Sequence, residues 1–226
     1  MGSQGPSPGE DTSRDIHILV TGFGLFRSHA ANPSWLIAAS LPPTITSAAR
    51  RIHIHTLPGA VEVSYHRIRA TIPGLLFPKD SSKPNYDIVL HIGMADTRSY
   101  YAVEIQAHRD NYIMEDVVGE TLKGDTFWKE EFGSPEVLST RIKSSDLLKK
   151  WKQNLPTEDL RLSDNAGRYL CEFIYYTSMV EYWRKSPGGD CPVVFLHVPG
   201  QADEAHVETG KQVVLSLISS LAEVTS

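Results

Sequence analysis

Apolar positions along the chain come in short bursts separated by polar or glycine-rich stretches, and the bursts alternate between two periods. Residues 16 to 22 (IHILVTG) form a β-branched run that stops at glycine, as a buried strand does where it enters a loop. Asn32 followed by Pro33 reads as an N-cap with proline at the first helical position, predicting a helix through about Ser40. A second strand fits Arg51 to Leu57. Val61, Tyr65, Ile68 and Ile72 recur at helical spacing, with Pro73 and Gly74 expected to end that helix. Tyr86 to Ile92 (YDIVLHI) predicts a buried strand, with Tyr100 to Ile105 as its neighbour. Residues 111 to 135 mix charges and glycines around Trp128 without a period, which predicts a long loop. A helix near Ser145 to Gln153, a short strand near Leu160, a long helix from about Gly167 to Arg184, a strand from Pro192 to Val198 and a closing helix complete the pattern. Strands alternating with helices predict an α/β fold, a single three-layer α/β/α domain over residues 16 to 226 with a twisted, mostly parallel central sheet.

Composition narrows what such a domain does. Residues 1 to 15 (MGSQGPSPGEDTSRD) are rich in Gly, Pro, Ser and charge, so a disordered tail without a secretory signal is expected. Pro6 stands where an N-myristoylation pattern needs Ser or Thr. With 226 residues and 41% hydrophobic side chains the chain can bury a sizeable core. A net charge of -5 and dispersed Lys and Arg leave no electrostatic footprint for nucleic acid or an anionic membrane. No window reaches the roughly 18 apolar residues of a membrane span. Cys171 and Cys191 are too few for a disulfide framework, so free thiols in a reducing, cytoplasmic setting are expected.

Three residues are candidates for chemistry. Cys171 lies in SDNAGRYLCEFIYYTSMVEYW, where Asp164 or Asn165 is expected to cap the helix about a turn ahead of it. The positive end of a helix dipole favours a thiolate, whereas a free cysteine is also a common packing residue. His197 ends the apolar strand PVVFLHV before a Pro-Gly turn, and the carboxyl ends of strands in open α/β sheets face the ligand crevice. A core histidine is the alternative there. Glu104 is an acid in an otherwise apolar strand, either on an exposed face or paired for a purpose. The loop TGFGLF holds Phe23 and Phe26; it lacks a dinucleotide fingerprint, and its rings suit either a core turn or an apolar slot. His53 and His55 share one strand face while His91, His108 and His206 are scattered; without HExxH or paired CxxC motifs, no metal or cofactor is expected.

Together these segments resemble the pyroglutamyl-peptidase family of cysteine peptidases. The resemblance rests on ILVTGFGLF with NPSW at 32 to 35, on VLHIG leading to VEIQAHRDNY, on DNAGRYLCEFIYYTS and on FLHVP, in family order across most of the chain. It implies Cys171 as nucleophile, His197 as catalytic histidine and Glu104 as catalytic glutamate; in a mechanism built on these, Asp116 is an alternative orienter of His197. A pocket of Phe23, Phe26, Asn32, Tyr169 and Leu170 is implied, along with a peptide substrate carrying an N-terminal pyroglutamate. Neither nucleic acid nor membrane is an implied partner, and the protein is expected as a monomer or homo-oligomer. The chain departs from the family pattern at Leu25 (usually proline), Met94 (polar in bacterial members), Ile105 (usually basic) and Arg109 (usually asparagine). The segment GQADEAHVETG after His197 also looks shorter than in relatives. A second reading keeps the scaffold without turnover, as a binding or structural protein.

Overall fold

The computed structural model describes residues 14–26, 29–48, 50–80, 84–189 and 191–225, so nearly all of the expected N-terminal tail lies outside the described residues. In chain order the elements are β1 (Ile16–Gly22), α1 (Pro33–Ala39), β2 (Thr44–Ser47), β3 (Arg50–Thr56), α2 (Tyr65–Leu76), β4 (Ile88–Met94), β5 (Tyr101–Glu104), β6 (Gln106–His108), α3 (Phe127–Phe132), β7 (Val137–Ser139), α4 (Ser144–Asn154), β8 (Leu160–Ser163), α5 (Leu170–Lys185), β9 (Val193–Val198) and α6 (Glu204–Val224). Seven strands form one sheet in the order β2-β3-β1-β4-β9-β5-β8, and β6 pairs with β7 apart from it. The central strands β3, β1, β4 and β9 run parallel. At one edge β2 is antiparallel to β3; at the other, β5 is antiparallel to β9 and parallel to β8.

Period-two alternation divides the core between the two faces of the sheet. Ile18, Val20, Leu90, Ile92, Val194 and Leu196 pack with Leu217, Leu221 and Trp151 from α6 and α4. Leu19, Val89, Val193 and Phe195 pack on the other face with Ile68, Ile72, Phe173 and Tyr176 from α2 and α5. Three layers result, as the strand and helix alternation predicts. Among the described residues no helix is long and apolar enough to cross a membrane.

Several local expectations are corrected. The helix carrying Cys171 starts at Leu170 rather than near Gly167, because Gly167 (φ 97) and Arg168 (φ 49) are left-handed and cannot join a right-handed helix. Neither Asp164 nor Asn165 caps it; instead Glu172, its third residue, reaches back to accept from the backbone N–H of Arg168 at 2.6 Å. Helix α2 runs through Pro73 to Leu76, because buried Ile72 and Leu76 hold its last turn against the core. Within the expected loop, α3 forms around buried Trp128 and ends on Gly133 in the left-handed conformation. Strands β2, β6 and β7 have three or four residues each, too few to show a period.

One buried polar group predicts a pH response. His91 is fully buried on β4, with Nδ1 2.7 Å from Thr21 Oγ1 and Nε2 2.8 Å from Ser178 Oγ. Burial pushes its imidazole down from 6.5 to about 3. The unfolded chain therefore takes up a proton below the ordinary value while the folded chain does not, so stability is lost as pH falls through that window. The slope is up to about 1.4 kcal/mol per pH unit. Urea midpoints measured from neutral pH downward are expected to show this slope and His91→Gln to flatten it; equal slopes would remove His91 from the acid response.

Candidate active site

The carboxyl ends of β1, β4 and β9 lie together at one edge of the sheet, and the candidate residues gather there. The loop after β1 is tied down by Asn32. As N-cap of α1, Asn32 accepts from Ser34 N at 3.1 Å, and its Nδ2 donates to the carbonyl of Gly24 at 2.8 Å. Ser34 Oγ in turn accepts from Phe23 N at 3.0 Å. The approach is so close that a Cβ on Gly22 would lie 2.3 Å from the Ser34 carbonyl oxygen, which explains the glycine that ends β1.

A small cleft is lined by Phe23, Phe26, Asn32, Val63, Met94, Tyr169, Leu170 and Cys171. All five residues expected from the sequence for a substrate pocket border it together with the candidate nucleophile. The rings of Phe26 and Tyr169 lie 5.3 Å apart across it. The Tyr169 hydroxyl donates to the Glu115 carbonyl at 2.8 Å, fastening the 111–120 segment to this wall. A larger hollow of about 340 Å³, around Met179, Trp183 and Cys191, contains none of these groups. Val63 and Met94 complete the wall. Val63 follows Val61, which bridges in parallel to Phe23, and no sequence signal marks it.

Cys171 is the second residue of α5 and stands against β4: a Cβ on Gly93 would lie 2.7 Å from its Sγ. Gly93 pairs with His197 in the parallel register, so the thiol sits over the strand neighbour of the imidazole. His197 is 4% exposed and its ring packs on Phe195 at 4.8 Å. Its Nδ1 lies 2.7 Å from Glu104 Oε1, and Nε2, the other ring nitrogen, makes no hydrogen bond among the described residues. Because β5 runs antiparallel to β9, Glu104 pairs with Phe195 two residues below His197, and this places the carboxylate at 0% exposure. The acid in an apolar strand is therefore the buried, paired one. Arg98 Nη1 donates to the same oxygen at 2.7 Å. The other oxygen, Oε2, makes no sound hydrogen bond among the described residues, although the Ser163 hydroxyl is close by.

Burial pushes the Glu104 carboxyl up, but the His197 hydrogen bond and charge, with help from Ser163 and Arg98, bring it below the ordinary value. The thiol behaves oppositely to the helix-dipole expectation. Burial pushes Cys171 up to about 12, the Glu104 charge raises it further and Arg98 partly offsets this. A resting neutral thiol follows, because lost hydration outweighs a partial dipole charge.

Asp116 is not at this site. It accepts from the backbone N–H groups of Tyr65 (3.0 Å), Val118 (2.9 Å) and Glu120 (3.0 Å), and so anchors its loop to the start of α2. Of the departures from the family pattern, only Met94 borders the cleft; Leu25 is 65% exposed beside it, and Arg109 pairs with Asp110 at 2.9 Å. Among the described residues no group of His, Cys, Asp or Glu could hold a metal ion.

Fold and cleft together define an α/β protein with a thiol, an imidazole and a buried carboxylate assembled at the carboxyl edge of its sheet. The family described as pyroglutamyl peptidase matches residues 16–225, and the chain belongs to this family of cysteine peptidases. It is 28% identical over 182 residues to pyroglutamyl-peptidase 1 of Rattus norvegicus, covering 80% of this chain and 78% of that one. Pyrrolidone-carboxylate peptidase of Deinococcus radiodurans is 27% identical over 188 residues, covering 82% and 78%. In fold, the chain is similar to a variant of pyrrolidone carboxyl peptidase from Pyrococcus furiosus, with TM-score 0.72, 21% identity and coverage of 92% and 99%. The enzyme of Fervidobacterium islandicum superposes with TM-score 0.69 at 22% identity, again covering 92% and 99%.

Proposed function

We propose that the protein hydrolyses the peptide bond after an N-terminal pyroglutamyl residue, with Cys171 as nucleophile, His197 as proton carrier and Glu104 as its orienter. The observation that carries this reading is the shared wall of the cleft: Cys171 borders the same aromatic slot as Phe23, Phe26, Asn32, Tyr169 and Leu170.

A neutral thiol calls for general-base help at the moment of attack rather than a standing thiolate. His197 Nε2 takes the Sγ proton as sulfur adds to the pyroglutamyl carbonyl. The same nitrogen then delivers that proton to the departing amine. Water, deprotonated by His197, opens the thioester and releases pyroglutamate. Glu104 holds Nδ1 and stabilises the imidazolium formed in each half-reaction. Leu170 and Cys171 open α5, so their N–H groups have no partner within the helix and face the developing oxyanion.

Selectivity follows from the slot's chemistry. A pyroglutamyl ring is a flat lactam without a charged amine, whereas an N-terminal glutamine would bury an ammonium group against Phe23 and Phe26. The two free cysteines suit work in a reducing compartment, and the cytoplasm is the proposed one. The test is a peptide assay on purified protein. Pyroglutamate is expected to be released from a pyroglutamyl peptide, with kcat/KM about a hundredfold or more above that for the glutaminyl analogue. No release under reducing conditions would favour the non-catalytic binding reading instead.

A further inference from the structure

We propose that Arg98 is a positioning residue of this site, fixing the Glu104 carboxylate against His197 and tethering the segment that delivers Cys171. This deepens the proposed hydrolysis and rests on it for the roles of those two partners.

Arg98 follows a turn after β4, closed by its backbone N–H on the Ala95 carbonyl at 3.0 Å. Its two terminal nitrogens divide between different elements. Nη1 donates to Glu104 Oε1 at 2.7 Å, on the oxygen that also meets His197 Nδ1. Nη2 donates to the Asn165 carbonyl at 2.9 Å, in the chain between β8 and α5. A planar guanidinium with a fixed fork of donors can make both contacts at once; a lysine ammonium reaches either, with less directional control. The Arg98 side chain is 19% exposed and its carboxylate partner 0%, so water does not substitute for the lost cation.

The segment it holds needs an anchor. Residues Gly167 and Arg168 are left-handed, and immediately afterwards Tyr169 and Leu170 line the slot and Cys171 presents its thiol. Arg98 clamps the near side of this turn through Asn165, and Glu172 clamps the far side through Arg168. One cation therefore sets the position of the carboxylate and the entry to the nucleophile helix together.

Other polar groups pack around the site. His197 comes from β9 and Ser163 from β8, while Tyr175 from α5 donates its hydroxyl to the Glu104 carbonyl at 2.9 Å. Farther out, Glu172 is shared between Arg168 and His108, and Asp96 pairs with His29 at 3.5 Å. The charges acting on the Cys171 thiol are Glu104, which raises it, and Arg98, which lowers it. Removing Arg98 is therefore expected to move the thiol and the Glu104 carboxyl upward together.

The experiment compares wild type with Arg98→Met and Arg98→Lys by two readouts. One is the iodoacetamide alkylation rate of Cys171 against pH, followed by mass mapping so that Cys191 is scored separately. The other is the pH profile of kcat and KM on a pyroglutamyl peptide. Arg98→Met is expected to slow alkylation at neutral pH, about tenfold for each unit the thiol rises. It should also shift the acid limb of kcat/KM to higher pH, with kcat falling more than KM changes. Arg98→Lys is expected to recover most of both pH positions. Wild-type pH dependence in Arg98→Met would overturn the proposal; so would an equal, pH-independent loss in both variants accompanied by reduced thermal stability, since that marks a purely structural arginine. Alkylation needs no turnover, so an inactive wild type would defeat the hydrolysis reading and still leave Arg98 tested.

Discussion

Cys171→Ala is expected to lower kcat/KM for pyroglutamate release by about four to six orders of magnitude, as loss of a catalytic nucleophile does in other covalent hydrolases. No neighbouring group can replace it. Glu104 is buried with one oxygen shared by His197 and Arg98, and the Cys191 thiol is on the rim of a different hollow. The substitution removes one atom from a partly buried position, so stability should change by about 1 kcal/mol or less. Binding should survive, because Phe23, Phe26, Asn32 and Tyr169 are untouched. The measurement pairs progress curves with calorimetric binding of a pyroglutamyl peptide. Residual turnover within tenfold of wild type would exclude the thiol from the reaction, and loss of binding as well as turnover would point to a role for sulfur in the slot.

Gly93→Ala carries the second largest expected effect, and it tests a residue with no chemistry of its own. The added methyl would lie 2.6 Å from Phe195 Cζ and 2.7 Å from Cys171 Sγ. Phe195 cannot turn away, since it is fully buried between Tyr175 and His197, with ring separations of 5.8 and 4.8 Å. The thiol must swing off its place over Gly93, or β4 and β9 must part. Overpacking of this kind costs about 1–3 kcal/mol. Misplacing the sulfur by about 1 Å should lower kcat a hundredfold or more. Thermal unfolding and steady-state kinetics on one preparation separate the two effects. An unchanged kcat would mean that attack does not depend on the thiol resting against β4.

Periodicity made the sheet and most helices legible because their apolar faces repeat over enough residues. The run at 16 to 22 and the cap Asn32-Pro33 stand where expected, and the strand expected at 86 to 92 lies two residues further on, at Ile88–Met94. The short strands β2, β6 and β7 did not show, nor did the continuation of α2 through Pro73, where burial of Leu76 outweighs a local breaker. The start of α5 was misread for a related reason. Asp164 and Asn165 are good caps by residue type, yet a carboxylate three residues inside the helix, Glu172, sets its beginning through contacts with Arg168 and His108.

The sequence by itself determined the layered α/β architecture and the family resemblance, and singled out Cys171, His197, Glu104 and the two phenylalanines as candidates. It left each of those polar residues with an ordinary alternative, because a side chain's role depends on what faces it. Only the tertiary structure decided that Glu104 is buried against His197, since the antiparallel turn of β5 is a property of sheet order rather than of any local run. Gly93 and Arg98 likewise acquire meaning from residues distant in the chain, one from the clearance beneath the thiol and the other from a cation shared between two elements. Local spacing records which face a residue takes; long-range packing decides its neighbours, and the neighbours set its charge state and chemistry.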